Sequence, residues 1–553
     1  MFFIFSSSLI LLWLGYGLTH FIDHGFRSYE DLVRCIEILG VAIGLRAISS
    51  YGELFFTSLL AEKVGVSLRQ ALFQKLLTFN SEFYEKNTVG DLLSSLVYDI
   101  SLVEVVITNT IPLFGRNLLI ALGGTILLFM SNHHLALIVV CSFPLVLIPL
   151  LFFDQWGPVA LSQKLQKKWT SAAAHAEEAL AGIKTVQAFG QEDLEKKKFT
   201  KELQAGMKDS FYRLRLKGMI AFISIAIGFC GVGFVLWLGG EEVLSHEMSS
   251  GKLTAFVFYA LAVVSYLGYL GEGWGDLESG KVAASTLNAF LEKNDQIPLS
   301  VGPRKKEQKG EGISFKEVTF FHPDYPDRKI LNKATFDIPY GQTAVLLGAS
   351  GSGKTTIFEL LMRFYDPEEG EICLKGTPIQ SLSLEDLRSD VGIVSQDSVV
   401  FSGTIYENIS YGANGVTKAD VVKAAKVTGV SDFSKEFPDG IHSYVGHRGM
   451  LLSSGQRQRI VMARILMKDP EFLLFDEPVN FLSTGREIFD WLIVRKKKNQ
   501  TTLVIAHHLS TVQQADLVVV LKEGTVLETG THKALLKKSK FYRNLVNVML
   551  VKD

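Results

Sequence analysis

The run Gly348-Ala-Ser-Gly-Ser-Gly-Lys354-Thr355 follows an apolar stretch at 343–347 and fits G-x-x-x-x-G-K-[ST] at every fixed position. Residues of these types at this spacing do one kind of chemistry: they hold a polyphosphate. Glycines let the backbone wrap closely around the phosphates, with N–H groups and the start of the following helix aimed at negative charge. Gly348, Ser350, Gly351, Ser352, Gly353, Lys354, Thr355 and Thr356 are the expected contacts to ATP. Lys354 is expected at the β/γ phosphates, as a catalytic group too, and Thr355 on Mg²⁺. A second apolar strand, 472–475, ends in Asp476-Glu477. Asp476 is the expected Mg²⁺ carboxylate, and Glu477 the neighbour that activates the attacking water.

Between these motifs stands Leu452-Ser453-Ser454-Gly455-Gln456. With it the sequence resembles the ABC transporter superfamily, whose signature is usually written LSGGQ; Ser454 replaces one glycine. Gln396, in Val394-Ser-Gln-Asp397, looks like the family's Q-loop glutamine, and His507, in Ile505-Ala-His-His508, like its switch histidine. The resemblance implies that two ATPase domains face each other, so that Ser453, Gly455 and Gln456 of one chain close over ATP held by the other. It also implies that Gln396 senses Mg²⁺ and the water, that His507 steadies the transferring phosphate, and that His322 stands where the family stacks an aromatic ring on adenine. Three positions depart from the pattern: Ser483 where a D-loop aspartate is usual, His447 for a glutamate, and His508 where arginine is common.

These motifs need strands and helices to carry them, and after residue 294 the two alternate as in an α/β domain. The expected organisation is a transmembrane domain at 1–295, a polar linker at 296–312 containing Arg304-Lys-Lys306, and an ATP-binding domain of the P-loop NTPase fold at 313–553. Of the 553 residues 48% are hydrophobic and 38 are Phe, more apolar matter than a soluble core of this size requires. Six stretches approach the roughly 20 apolar residues that a spanning helix needs. They fall at 2–18, 35–56, 111–131, 135–153, 219–240 and 253–270. The fold class is thus an all-α six-helix bundle joined to an α/β ATPase.

Connections at 132–134 and 241–251 contain no Lys or Arg, whereas 57–110 and 154–218 are long and rich in them, including Lys167, Lys168, Lys196 and Arg213. Basic loops stay on the cytoplasmic side, so both termini and the ATPase are expected in the cytoplasm of a cytoplasmic-membrane protein. The long basic stretches read as helices running past the bilayer and joined by turns, with 83–100 and 177–193 as candidate contacts to another domain. Residues 84–99, with Thr88-Val-Gly-Asp91, look like the first coupling element of bacterial lipid and multidrug exporters. Arg46 and Glu53 lie seven apart in the second span and share a face, which reads as a structural pair. Pro144 and Pro149 read as kinks.

Six spans with cytoplasmic extensions and then this ATPase is the layout of exporter-type ABC half-transporters. The resemblance implies an ATP hydrolase coupled to export, active as a dimer, with lipid or a lipophilic drug-like molecule as substrate. Glu477 and most of the signature are retained, which favours a homodimer over a heterodimer; an ATP-regulated channel is the alternative of another class. A net charge of −1 offers no field for nucleic acid. Cys35, Cys141, Cys230 and Cys373 have no CxxC spacing that would suggest zinc or a disulfide framework.

Overall fold

The computed structural model describes residues 2–552 except 142–157, 294–311, 396–398, 414, 477–499 and 507. The chain forms two compact units, Met1–Leu77 with Thr88–Lys293, and Thr78–Asn87 with Asn294–Asp553. The expected stretch 83–100 is therefore split, because Thr78–Asn87 groups with the second unit. The expected linker lies outside the described residues save Gly312.

The first unit is helical. Helix α1 covers Phe2–His24 and α2 Tyr29–Leu76, the latter started by Ser28, whose hydroxyl accepts the Asp31 amide at 3.1 Å. In the second unit lies the short α3, Ser81–Lys86. Then come α4, Val89–Ser131, and α5, which is helical over 133–141, where description stops; Pro144 and Pro149 lie outside the described residues. Helices α6 (Pro158–Ala181), α7 (Ile183–Ala188), α8 (Glu192–Leu244) and α9 (Ser250–Glu292) complete the unit. At 48 residues α2 is about 72 Å long, more than twice the ~30 Å of a bilayer core, so the extended helices read from sequence are present.

Among the described residues, α1, α4, the Ile225–Leu244 part of α8, and α9 are long and apolar enough to cross a membrane. Helix α2 has Arg34, Glu37, Arg46 and Glu53 among its first 25 residues, which lowers its hydropathy. The helices approach closely through small residues, as lipid-embedded helices do. A side chain at Gly15 would lie 2.4 Å from the Tyr259 ring, whose hydroxyl donates to the Leu12 carbonyl at 2.8 Å. Asp23 ties α1 to the start of α9 by accepting from Ser249 Oγ (2.6 Å) and the Gly251 amide (2.9 Å). Glu53 does not pair with Arg46. Buried at 7% exposure, it meets Arg116 of α4 at 3.4 Å. Seven residues separate Arg46 and Glu53 by about 10 Å along one helix, whereas a neighbouring helix supplies a partner at the same depth.

The second unit has two sheets. Strands β1 (Ile313–His322), β2 (Tyr325–Ile338), β4 (Glu369–Leu374) and β5 (Thr377–Pro378) form an antiparallel sheet in the order β2-β1-β4-β5. The other sheet, in the order β10-β9-β3-β8-β7-β6, is made of β3 (Thr343–Gly348), β6 (Val391–Val394), β7 (Phe472–Asp476), β8 (Thr501–Ile505), β9 (Leu517–Lys522) and β10 (Thr525–Gly530). Its pairs are parallel from β9 to β6 and antiparallel at β10. Strand β3 is buried nearly throughout, as expected of a parallel strand covered on both faces. A separate apolar cluster, with Ile405, Val421, Phe433 and Ile460, joins the helices Ile405–Ser410, Lys418–Val427, Val430–Ser434 and Ser454–Lys468.

Candidate functional site

The phosphate-loop residues sit where β3 ends and helix α10, Lys354–Leu361, begins. Gly351 (φ 76°) and Gly353 (φ 95°) adopt the left-handed region, which side-chain-bearing residues rarely enter. Gly348 is needed for a different reason: a Cβ there would come within 2.5 Å of the Leu521 carbonyl oxygen. Lys354 is 7% exposed, and its Nζ donates to the Gly348 and Ala349 carbonyls, both at 2.9 Å. Ser352 Oγ is buried and has no hydrogen-bond partner among the described residues. An unpartnered buried hydroxyl under a loop of left-handed glycines suits the oxygens of a phosphate.

Asp476 closes β7 at the same end of the sheet. Leu346 of β3, two residues before the loop, and Asp476 of β7 both pair in register with Ile505 of β8, so these two strand positions are two strand spacings apart, about 10 Å. The Thr355 hydroxyl and the Asp476 carboxylate are hard oxygen donors of the kind Mg²⁺ takes. Burial pushes the Glu359 carboxyl of α10 up; His322 pulls it down, while Glu85 and Asp476 add to the rise. These groups therefore share one electrostatic neighbourhood. Glu477, Gln396 and His507 lie outside the described residues, as does Ser483.

His322 ends β1. Its ring centroid is 5.6 Å from that of Tyr365, and its Nδ1 accepts the Asp324 amide at 3.3 Å. Nε2 is 3.7 Å from Glu85 Oε1. Tyr365, just beyond α10, is buried and donates its hydroxyl to the same Glu85 oxygen. Burial first, and then the Glu85 bond, hold that phenol far above the usual tyrosine range. Sequence reasoning marked His322 but missed Glu85 and Tyr365, for neither lies in a motif; only the general pointer of 84–99 as a coupling element came near.

The signature occupies a different element. Ser453 caps helix α11, Ser454–Lys468, in a reciprocal capping box: its hydroxyl accepts the Gln456 amide at 3.2 Å, and Gln456 Oε1 accepts the Ser453 amide at 2.8 Å. The Gln456 side chain is thus engaged within the turn. Ser453, Ser454 and Gly455 are exposed, and a Cβ at Gly455 would meet nothing within 4 Å. A third missed residue is Arg464 of α11. It donates to the Asn408 carbonyl at 2.6 Å and to the Val399 carbonyl at 2.7 Å, joining α11 to the stretch just after Gln396. His447 and His508 are both exposed.

A helical membrane unit joined to a phosphate-loop unit whose signature caps its own helix defines an ATP-driven membrane transporter. Residues 1–267 match the ABC transporter transmembrane region family and residues 331–480 the ABC transporter family. A protein of Rickettsia bellii named as an export ATP-binding/permease protein is 32% identical over 98% of this chain and 94% of its own. The mitochondrial ATP-binding cassette sub-family B member 10 of Mus musculus is 33% identical over 99% of this chain and 78% of its own. A solved bacterial Atm1-family ABC exporter with ATP bound has the same fold, with a TM-score of 0.85, 24% identity, and coverage of 99% of this chain and 97% of that one. The chain belongs to the ABC transporter family as an exporter-type half-transporter, a membrane protein that binds ATP and couples its hydrolysis to export.

Proposed function

We propose that the chain works as a homodimer that exports or flips a lipophilic substrate, a lipid or drug-like molecule, by alternating access across the cytoplasmic membrane, with the ATP-binding unit and both termini in the cytoplasm. The observation that carries the dimer is the signature turn: it is built and capped, yet exposed and open at Gly455. In this reading Ser453, Gly455 and Gln456 meet the γ-phosphate of ATP held by the other chain's Gly348–Thr356 loop. Lys354 binds the β/γ phosphates, His322 stacks on adenine, and Thr355, Asp476 and Gln396 hold Mg²⁺. Glu477 activates the water and His507 steadies the transferring phosphate. Catalysis is then positioning and electrostatics, completed only when two chains close. Leu180 and Phe189, large apolar residues exposed at the turns flanking α7, offer each chain a surface for another domain.

A lipophilic substrate is supported by an open apolar groove beside α1 and α2, lined by Leu9, Trp13, Ile38, Val41 and Leu45, with Glu37 as its charged member. One departure, Ser483, favours a second reading in which a different half completes a heterodimer. ATP turnover by the purified, reconstituted chain tests both. Specific activity that falls on dilution, vanishes in Glu477→Gln and rises with an added lipophile supports the homodimeric exporter. ATP binding without turnover at any concentration would point to the missing half.

A further inference from the structure

The segment Thr78–Asn87 comes from between two long helices of the membrane unit, yet it belongs to the ATP-binding unit. Within it Phe83 is 1% exposed, its ring tilted against that of Phe79 with centroids 4.1 Å apart. From this segment Glu85 reaches Tyr365, whose hydroxyl it accepts, and lies 3.7 Å from His322 Nε2. In the neutral imidazole, Nδ1 accepts the Asp324 amide, so the ring proton lies on Nε2, which faces Glu85. The imidazole thus has a neighbour on three sides: the Asp324 amide hydrogen-bonded to Nδ1, the Glu85 carboxylate 3.7 Å from Nε2, and the Tyr365 ring, itself oriented by its bond to Glu85.

We propose that Glu85 is a positioning residue for nucleotide recognition: it fixes the plane of His322, directly and through Tyr365, so that affinity for the adenine base is set from the segment arising between α2 and α4. The inference rests on the reading of His322 as the adenine-facing residue. A displacement of this segment turns the ring and changes base affinity, without touching the phosphate loop. A phosphate contact would not discriminate bases; a stacked and oriented ring does, because its overlap and polar edge differ between adenine and guanine.

The test uses the full-length protein in lipid nanodiscs with ATP and GTP as probes, measuring KM, kcat and the ATP-over-GTP preference. Losing one such hydrogen-bonded support is expected to raise the ATP KM of Glu85→Ala about fivefold, with kcat changed less than about twofold and a reduced ATP preference. Glu85→Gln, which still accepts the Tyr365 hydroxyl, recovers most of the preference, and Tyr365→Phe shifts KM in the same direction by less. A Glu85→Ala protein with lower kcat but unchanged KM and base preference overturns the proposal, since a merely structural role would behave so. His322→Ala separates the two ideas. If it leaves KM and base preference unmoved, the adenine reading itself fails; if it shifts both while Glu85→Ala and Tyr365→Phe shift neither, only the positioning role fails.

Discussion

The phosphate loop and the signature turn are both glycine-bearing starts of helices, and the protein finishes them differently. The base of the loop is packed by its own chain: Leu521 backbone presses on Gly348, Lys354 is buried against two carbonyls, and Ser352 is enclosed, while Ala349 to Gly351 and Thr355 stay exposed. At the signature the chain supplies a cap and then stops, leaving Ser453 to Gly455 in the open. The start of a helix favours an anion in either case. The difference is that Gly348 at the base of the loop is packed against its own chain, whereas Gly455 of the signature has open space around it. In the dimeric reading, substitutions at the loop damage a chain by itself, and substitutions at the signature damage only the pair.

The largest effect that would break or sharpen this contrast is expected from Lys354→Ala. Turnover falls by more than about 100-fold, and ATP binding by the isolated chain weakens with it, since the proposed reading places this buried cation at the phosphates. Equilibrium binding of a fluorescent ATP analogue, beside ATPase rate, checks both. Next is a matched pair of insertions. Gly348→Val forces a side chain onto the Leu521 backbone and is expected to cost about 1–3 kcal/mol, visible as a lower melting temperature. Gly455→Val has open space around it, so the melting temperature stays close to that of the native protein while turnover is lost. Equal destabilisation by the two would contradict the contrast drawn between the sites.

Ser453→Ala removes the cap from α11, with an expected cost of about 1 kcal/mol and lower turnover at preserved ATP affinity. A drop in ATP affinity of the dilute, monomeric chain would instead place Ser453 on its own loop's nucleotide. The smallest effect concerns pH. The Glu359 carboxyl is raised in the folded protein, chiefly by burial. The unfolded chain therefore gives up that proton first, and the folded state loses stability as pH climbs from the ordinary Glu value of about 4.3 through the raised one. Glu359→Gln removes this penalty. Its melting temperature should exceed the native value at pH 7.5, with the difference shrinking as pH approaches 4.

Much of this was legible beforehand. The phosphate loop, the Asp476 strand end and the helix run at 111–131 are local patterns, and local sterics or continuous apolarity write them into adjacent residues. The signature was legible as a motif, but its capping box required knowing that the helix begins at Ser454. Arg46 and Glu53 share a helix face in sequence, yet Glu53 found Arg116, 63 positions away. Glu85 lay inside the stretch 84–99 read as a coupling element, but nothing singled out the residue.

By itself the sequence determined the two-part architecture, the nucleotide loop and the family, because each rests on residue types at short, fixed separations. Only the tertiary structure decided the partners of Glu53, the assignment of Thr78–Asn87 to the ATP-binding unit, and the meeting of Glu85 with Tyr365 and His322. Those contacts join residues up to 280 positions apart. Which charged group lies opposite which is set by how helices and sheets pack, and that information is spread over the whole chain instead of being held at either residue.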